Sequence, residues 1–235
     1  MRLMEPPVGL PALTESDLVR QIARRLSAAI VEGRLRPGAR VVEAAIAREL
    51  AVSRAPVREA ARLLESQGLL VASPRRGFSV RVLAPDDIDE LYDLRLCIER
   101  HAALLAAERL TPATRDALRA QLSVLDGTAA RNDLAAQVEE DYRFHRLICE
   151  AAGSRRMLRL FDDLAAEMRV VIGLIGRLYD DPARIARTHA PVLAAIEGGN
   201  RAEILREIDT HIGVAWREVA KLVRALPQDS AAATG

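Results

Sequence analysis

From Pro85 to about Arg224 apolar residues return every three or four positions, and this pattern leaves the chain little freedom of fold. That spacing gathers side chains on one stripe of an α-helix and would scatter them over both faces of a strand. Breaks at Thr111-Pro112, Gly127, Gly153-Ser154, Asp181-Pro182 and Gly198-Gly199-Asn200 divide the region into six helices. They fall at about 86–109, 112–126, 131–152, 155–179, 182–198 and 200–224. Amphipathic helices on short connections bury their stripes against one another, as an antiparallel six-helix bundle. Composition agrees, because half of the residues are apolar but only 3% are aromatic. A β-sandwich would want more aromatic and β-branched residues.

Ahead of the bundle the pattern changes. "TESD" (Thr14 to Asp17) has capping-box spacing and opens a helix to about Glu32, which Gly33, Pro37 and Gly38 end. Two short helices follow, Glu43 to Leu50 and Ser53 to Gln67, separated only by "AVS". Two apolar runs around Pro74-Arg75-Arg76-Gly77 then read as a β-hairpin with a charged tip. Helix, turn, helix and hairpin outline a winged helix-turn-helix. The expected fold is therefore mainly α. A winged domain spans residues 14–82, a helical domain spans 86–225, and the tails 1–13 and 227–235 are flexible.

Charge separates the same two regions. Residues 1–82 hold 14 Arg against 8 acidic residues, and the remainder is acidic, although the whole chain has a net charge of +1. A basic first third points to a polyanionic partner for that part alone. In its second short helix Val57, Ala60, Ala61 and Leu64 form an inward face behind Ser53 at the N-cap. Arg54, Arg58 and Arg62 recur every four residues on another face, and Arg75 and Arg76 sit on the hairpin tip. Arginines so placed reach guanine edges or phosphates of double-stranded DNA; the plain alternative is a solvated face paired with Glu59 and Glu65. The stretch from Ile30 to Val80 resembles the DNA-binding domain of the GntR family of bacterial regulators. The carrying residues include Gly33, Pro37-Gly38, Glu43, Val52-Ser53-Arg54, Pro56-Val57-Arg58-Glu59-Ala60 and Arg76-Gly77. The resemblance implies that Arg54 and Arg58 read DNA and that Gly77 lets the wing approach the minor groove. Ala44 stands where some members carry a DNA-contacting arginine.

Polar residues interrupt the bundle's apolar stripes at three places. One face of the third bundle helix runs Leu134, Val138, Asp141, His145, Ile148, Ala152. His189 falls in the stripe Ile185, His189, Val192, Ile196, and His211 falls in Ile204, Ile208, His211, Ala215, Val219. An unsatisfied buried polar group costs roughly 1–3 kcal/mol, so each needs a partner. Three imidazoles and a carboxylate on three helices form a donor set for Zn²⁺ or Ni²⁺, with positions left for a ligand. Singly, each would pass for a hydrogen-bonded core histidine. Cys149, four residues after His145, is a spare soft donor, and Cys97 with His101 reads as structural. These stretches resemble the FCD effector-binding domain of the FadR branch of GntR regulators, in its six-helix VanR-like form. The resemblance implies Asp141, His145, His189 and His211 as metal ligands and Arg95 facing the cavity of a small carboxylate effector. Ser154 stands where the family usually has Asn.

No apolar run approaches a membrane span, Leu3, Met4 and Val8 do not make a signal peptide, and two unpatterned cysteines suit a reducing cytoplasm. The resemblance implies a ligand-responsive homodimeric regulator, most often a repressor in this family, on a pseudo-palindromic operator. The rival is a helical metalloenzyme with a basic targeting module, against which stands the lack of His-Glu-x-x-His, P-loop and Gly-x-Ser-x-Gly motifs.

Overall fold

A computed structural model describes residues 15–74, 76–178 and 182–225. Thr14, Arg75 and both tails named above lie outside them. The N-terminal part comprises α1 (Glu15–Val31), β1 (Arg40–Val41), α2 (Glu43–Glu49), α3 (Arg54–Ser66), β2 (Leu70–Ser73) and β3 (Gly77–Val80). The hairpin pairs antiparallel with Val71 opposite Ser79, and β1 adds to the far side of β3 to give the order β1-β3-β2. This is the winged helix-turn-helix. Val57, Ala60, Ala61 and Leu64 of α3 are buried against Ile22 and Leu26 of α1 and Phe78 and Val80 of β3. Ser53 occupies the N-cap of α3, but its hydroxyl makes no capping bond.

The remainder is helical: α4 (Pro85–Glu108), α5 (Pro112–Ala130), α6 (Leu134–Ala151), α7 (Arg155–Asp163), α8 (Ala165–Leu178), α9 (Pro182–Arg187), α10 (His189–Gly198) and α11 (Arg201–Ala225). The six expected helices are present, two of them split. The 155–179 helix breaks at Leu164. The 182–198 helix breaks at Thr188, where the Ile185 carbonyl accepts from the Thr188 N–H at 3.1 Å and the Thr188 hydroxyl at 2.7 Å. Those bonds displace the i→i+4 bond that would have continued α9. Helix α5 runs through Gly127; the turn comes at Asn132, whose φ is +55°, and Asp133 caps α6 by accepting from Ala136 N at 3.0 Å. Ser154 likewise caps α7.

Helix α4 packs along α6 and α11 at the centre of the bundle. Tyr92 of α4 stacks on Trp216 of α11 with ring centroids 5.9 Å apart, and Trp216 Nε1 donates to Asp89 at 2.6 Å. Helix α8 touches both parts of the molecule. Glu167 accepts from Arg81, just after β3, at 2.6 Å, and Val170 packs on the N-terminal core. Gly173 lies so close to the end of α1 that a Cβ there would meet Val31 Cγ1 at 2.9 Å and the Val31 carbonyl oxygen at 3.2 Å. Its neighbour Ile172 borders a cavity in the bundle.

Candidate functional site

The stripes of α6, α10 and α11 converge as their periodicity requires, bringing Asp141, His145, His189 and His211 to one place. Ligand nitrogens of the three histidines lie within 4.8 Å of one another. His145 and His189 are fully buried, and Asp141 is 5% exposed. The helix is interrupted at Thr188, immediately before His189, which is the first residue of α10.

The outward nitrogens settle where the protons are. His145 Nδ1 stands 2.6 Å from Glu99 Oε2, and an ionised carboxylate only accepts, so this nitrogen carries the proton. His189 Nδ1 lies 3.1 Å from the Ile185 carbonyl and 3.3 Å from that of Ala186, which assigns it the proton by the same argument. Both Nε2 atoms therefore turn lone pairs inward. His189 Nε2 is 3.1 Å from Asp141 Oδ2 without making a hydrogen bond. That is acceptor against acceptor. His145 Nε2 is 3.2 Å from His211 Nε2 and 3.8 Å from Asp141 Oδ1.

Only a proton or a cation relieves the facing lone pairs of His189 and Asp141, and burial opposes protons on the neighbouring His145 and His211. Burial pushes the His145 imidazole below its ordinary range despite the attraction of Glu99. His211 is driven well below it by burial, with His189, His145 and Arg95 adding repulsion. Burial also opposes ionisation of Glu99 and Asp141. At Glu99 the Arg95 guanidinium chiefly overcomes it and holds the carboxyl below its usual range. Two ligand atoms held about 2.1 Å from one ion stand roughly 3.0–3.4 Å apart across angles of 90–109°. The 3.1 Å and 3.2 Å separations match that spacing.

Glu99 has no role in the sequence reading. The structure makes it the hinge of the site. It is completely buried and accepts from Arg95 Nε at 2.5 Å with one oxygen while holding His145 with the other. The Arg95–Glu99 spacing of four, on a helix whose Tyr92 and Ile88 are also buried, was the available signal. Arg95 is 3% exposed and borders a cavity of about 260 Å³ with Asp141 and His211. Ile172, Ile185 and Val214 form apolar walls, and Thr188, Glu207 and Thr210 are polar. Glu207 and Thr210 are not among the site residues expected from the sequence. Cys149 is buried in the core with its thiol pushed up by burial, outside the histidine cluster, and Cys97 and His101 are exposed on α4.

On the N-terminal part, Ser53, Arg54, Arg58 and Arg62 are exposed along one side of α3, and Arg76 is exposed at the hairpin tip. Gly77 has φ +79° and open space around its Cβ position. Arg58 is held by Glu43 at the start of α2, through Nη2 at 2.8 Å and Nε at 3.1 Å, while Arg54 approaches the same carboxylate at 3.8 Å. Arg62 pairs loosely with Glu59 at 3.9 Å.

Family models match both parts: "Bacterial regulatory proteins, gntR family" over residues 18–80 and "FCD domain" over residues 90–214. The chain is a GntR-family transcriptional regulator with an FCD domain. A relative in Paenarthrobacter nicotinovorans, described as a probable D-xylose utilization operon transcriptional repressor, is 32% identical over 204 residues, covering 85% of this chain and 87% of that protein. The solved structure of a putative GntR regulator from Rhodococcus sp. RHA1 is 27% identical with a TM-score of 0.68, covering 87% of this chain and 98% of that one. E. coli McbR/YncC shares the fold at 22% identity, with a TM-score of 0.71 and the same coverage of both chains. GntR relatives of this kind are regulators and not enzymes, which sets the metalloenzyme reading aside. Among the described residues no helix is long and apolar enough to cross a membrane.

Proposed function

We propose that this GntR regulator is a cytoplasmic homodimeric repressor that releases a pseudo-palindromic operator in response to a small carboxylate. The winged part, residues 14–82, reads one half-site of double-stranded DNA per protomer. Ser53, Arg54, Arg58 and Arg62 enter the major groove, while Arg75, Arg76 and Gly77 bring the wing to the neighbouring backbone or minor groove. The exposed arginine side of α3 supports this, and the Glu43 clamp pre-orients Arg58. A repressor is named because the D-xylose operon relative is described as one.

Residues 86–225 form the effector domain. Asp141, His145, His189 and His211 hold a divalent metal, Zn²⁺ or Ni²⁺, and the open positions face the cavity. The observation that carries this is the 3.1 Å approach of the His189 Nε2 lone pair to Asp141 Oδ2, with His145 and His211 beside it. Glu99 fixes the His145 tautomer, as a second-layer carboxylate does at metal-bound histidines. A metal supplies Lewis acidity for a ligand oxygen. Arg95, at the cavity wall, adds a charge-assisted donor for the same carboxylate.

Elemental analysis of untagged protein purified without chelator tests the reading. The expected result is about one metal ion per chain, lost in His145→Ala and His189→Ala. Protein that contains no metal and takes up neither Zn²⁺ nor Ni²⁺ overturns the metal assignment, while the DNA-binding assignment stands on the winged domain.

A further inference from the structure

The cavity beside the histidines has a second charged wall. Glu207 stands on α11 four residues before His211, so both side chains share a face, and Thr210 and Thr188 border the same space. Among the described residues the ion partners of Glu207 reduce to Arg206, which reaches Oε1 at 3.0 Å and is itself 65% exposed. Both bonds from Arg206 fall on Oε1, and Glu207 lines the cavity. A carboxylate in this position works against any ligand that is only an anion.

A charge count sharpens the point, and it rests on the metal-and-carboxylate reading above. At the inner end Glu99 and Asp141 are negative and Arg95 is positive, so a divalent ion leaves that end with one positive charge, enough for one carboxylate. At the outer end Arg206 is shared by Glu207 at 3.0 Å and Glu203 at 3.5 Å, so these three groups together carry one negative charge, which restores neutrality before any ligand arrives. A simple monocarboxylate then leaves an unbalanced negative charge between apolar walls, where charge is poorly screened. A dicarboxylate leaves two. A zwitterion leaves none.

Dimensions limit the zwitterion. Four residues of helix separate Glu207 from His211 by about 6 Å, which is roughly four or five bonds. A cavity of about 260 Å³ accommodates about nine non-hydrogen atoms at the volume of a water molecule each. We infer that the effector is a short amino acid carrying its ammonium remote from its carboxylate. The carboxylate goes to the histidine and Arg95 end, and the ammonium goes to Glu207 with the Thr188 and Thr210 hydroxyls beside it.

The test is calorimetric titration of the zinc-loaded full chain with three probes of matched length: 5-aminopentanoate, pentanoate and glutarate. 5-Aminopentanoate binds tighter than pentanoate by roughly tenfold, the ordinary worth of a charge-assisted hydrogen bond, and glutarate binds weakest. Glu207→Gln brings the first two together, and an unchanged zinc content confirms that the variant is folded. Pentanoate matching 5-aminopentanoate on the native chain overturns the inference alone, as does a preference that survives Glu207→Gln. A chain that binds none of the three overturns the carboxylate site beneath it as well.

Discussion

Replacing Glu99 with glutamine preserves the shape of the side chain and removes its charge. Glu99 is wholly buried and uses each oxygen for a different donor, Arg95 Nε at 2.5 Å and His145 Nδ1 at 2.6 Å. Glutamine offers one oxygen, so its amide nitrogen must point at the other donor. Arg95, 3% exposed, would then keep a full charge without its counter-ion. Removing one partner of a buried ion pair costs about 3–5 kcal/mol. Asp141 also attracts Arg95, which places the expected loss near 3 kcal/mol. With a urea slope of about 2 kcal/mol per molar, the midpoint falls by about 1.5 M. Fluorescence of Trp216 follows the transition cleanly, because it is the chain's single tryptophan and stacks on Tyr92 one turn before Arg95. The same variant loses about 10–100-fold in zinc affinity, since His145 loses the carboxylate that orients it. A midpoint within about 0.3 M of the native one would refute the reasoning, because Arg95 would then have no need of Glu99.

Two further outcomes follow from the surface of α3 and from the contact between the two parts. Arg58→Ala leaves the circular dichroism spectrum unchanged and weakens binding to operator DNA by roughly tenfold or more, with a shallower dependence on salt, as titration by fluorescence anisotropy will read. Unchanged affinity would mean that α3 does not enter the groove. Gly173→Ala gains about 1 kcal/mol of helix propensity, but its methyl meets Val31 Cγ1 at 2.9 Å and the Val31 carbonyl at 3.2 Å. A carbonyl cannot rotate aside as a methyl can, so the net result is destabilisation of about 1 kcal/mol in a thermal melt, and a rise in melting temperature would show that the contact is slack.

Much of this was readable in the sequence because it rests on periodicity. The stripe Val138, Asp141, His145, Ile148 is buried throughout, as spacing alone predicts, and the same holds for Val57, Ala60, Ala61 and Leu64. Features decided by tertiary contacts were not readable. The break at Leu164 has no glycine or proline to announce it. The break at Thr188 depends on a hydroxyl competing for a carbonyl, which leaves no mark on hydropathy. Strand β1 is two residues long and exists because β3 offers it an edge. Gly127 misled in the other direction, since a helix tolerates glycine when its neighbours pack. Glu99 was hidden for a different reason. A carboxylate four residues after an arginine ordinarily signals a surface pair, and only the arrival of His145 from another helix turns it into a buried bridge.

Helix α8 gives the two halves of the molecule a common wall. Ile172 borders the cavity beside the histidines, and Gly173, about 1.5 Å further along the axis, presses on the end of α1. No loop intervenes to absorb a displacement, and the ion pair of Glu167 with Arg81 ties the same helix to the root of the wing. Whatever free energy passes across this wall passes equally in both directions. On the proposed function, operator DNA would then itself modulate the cavity. The ratio of ligand affinities measured with and without it equals the factor by which ligand shifts the grip on DNA.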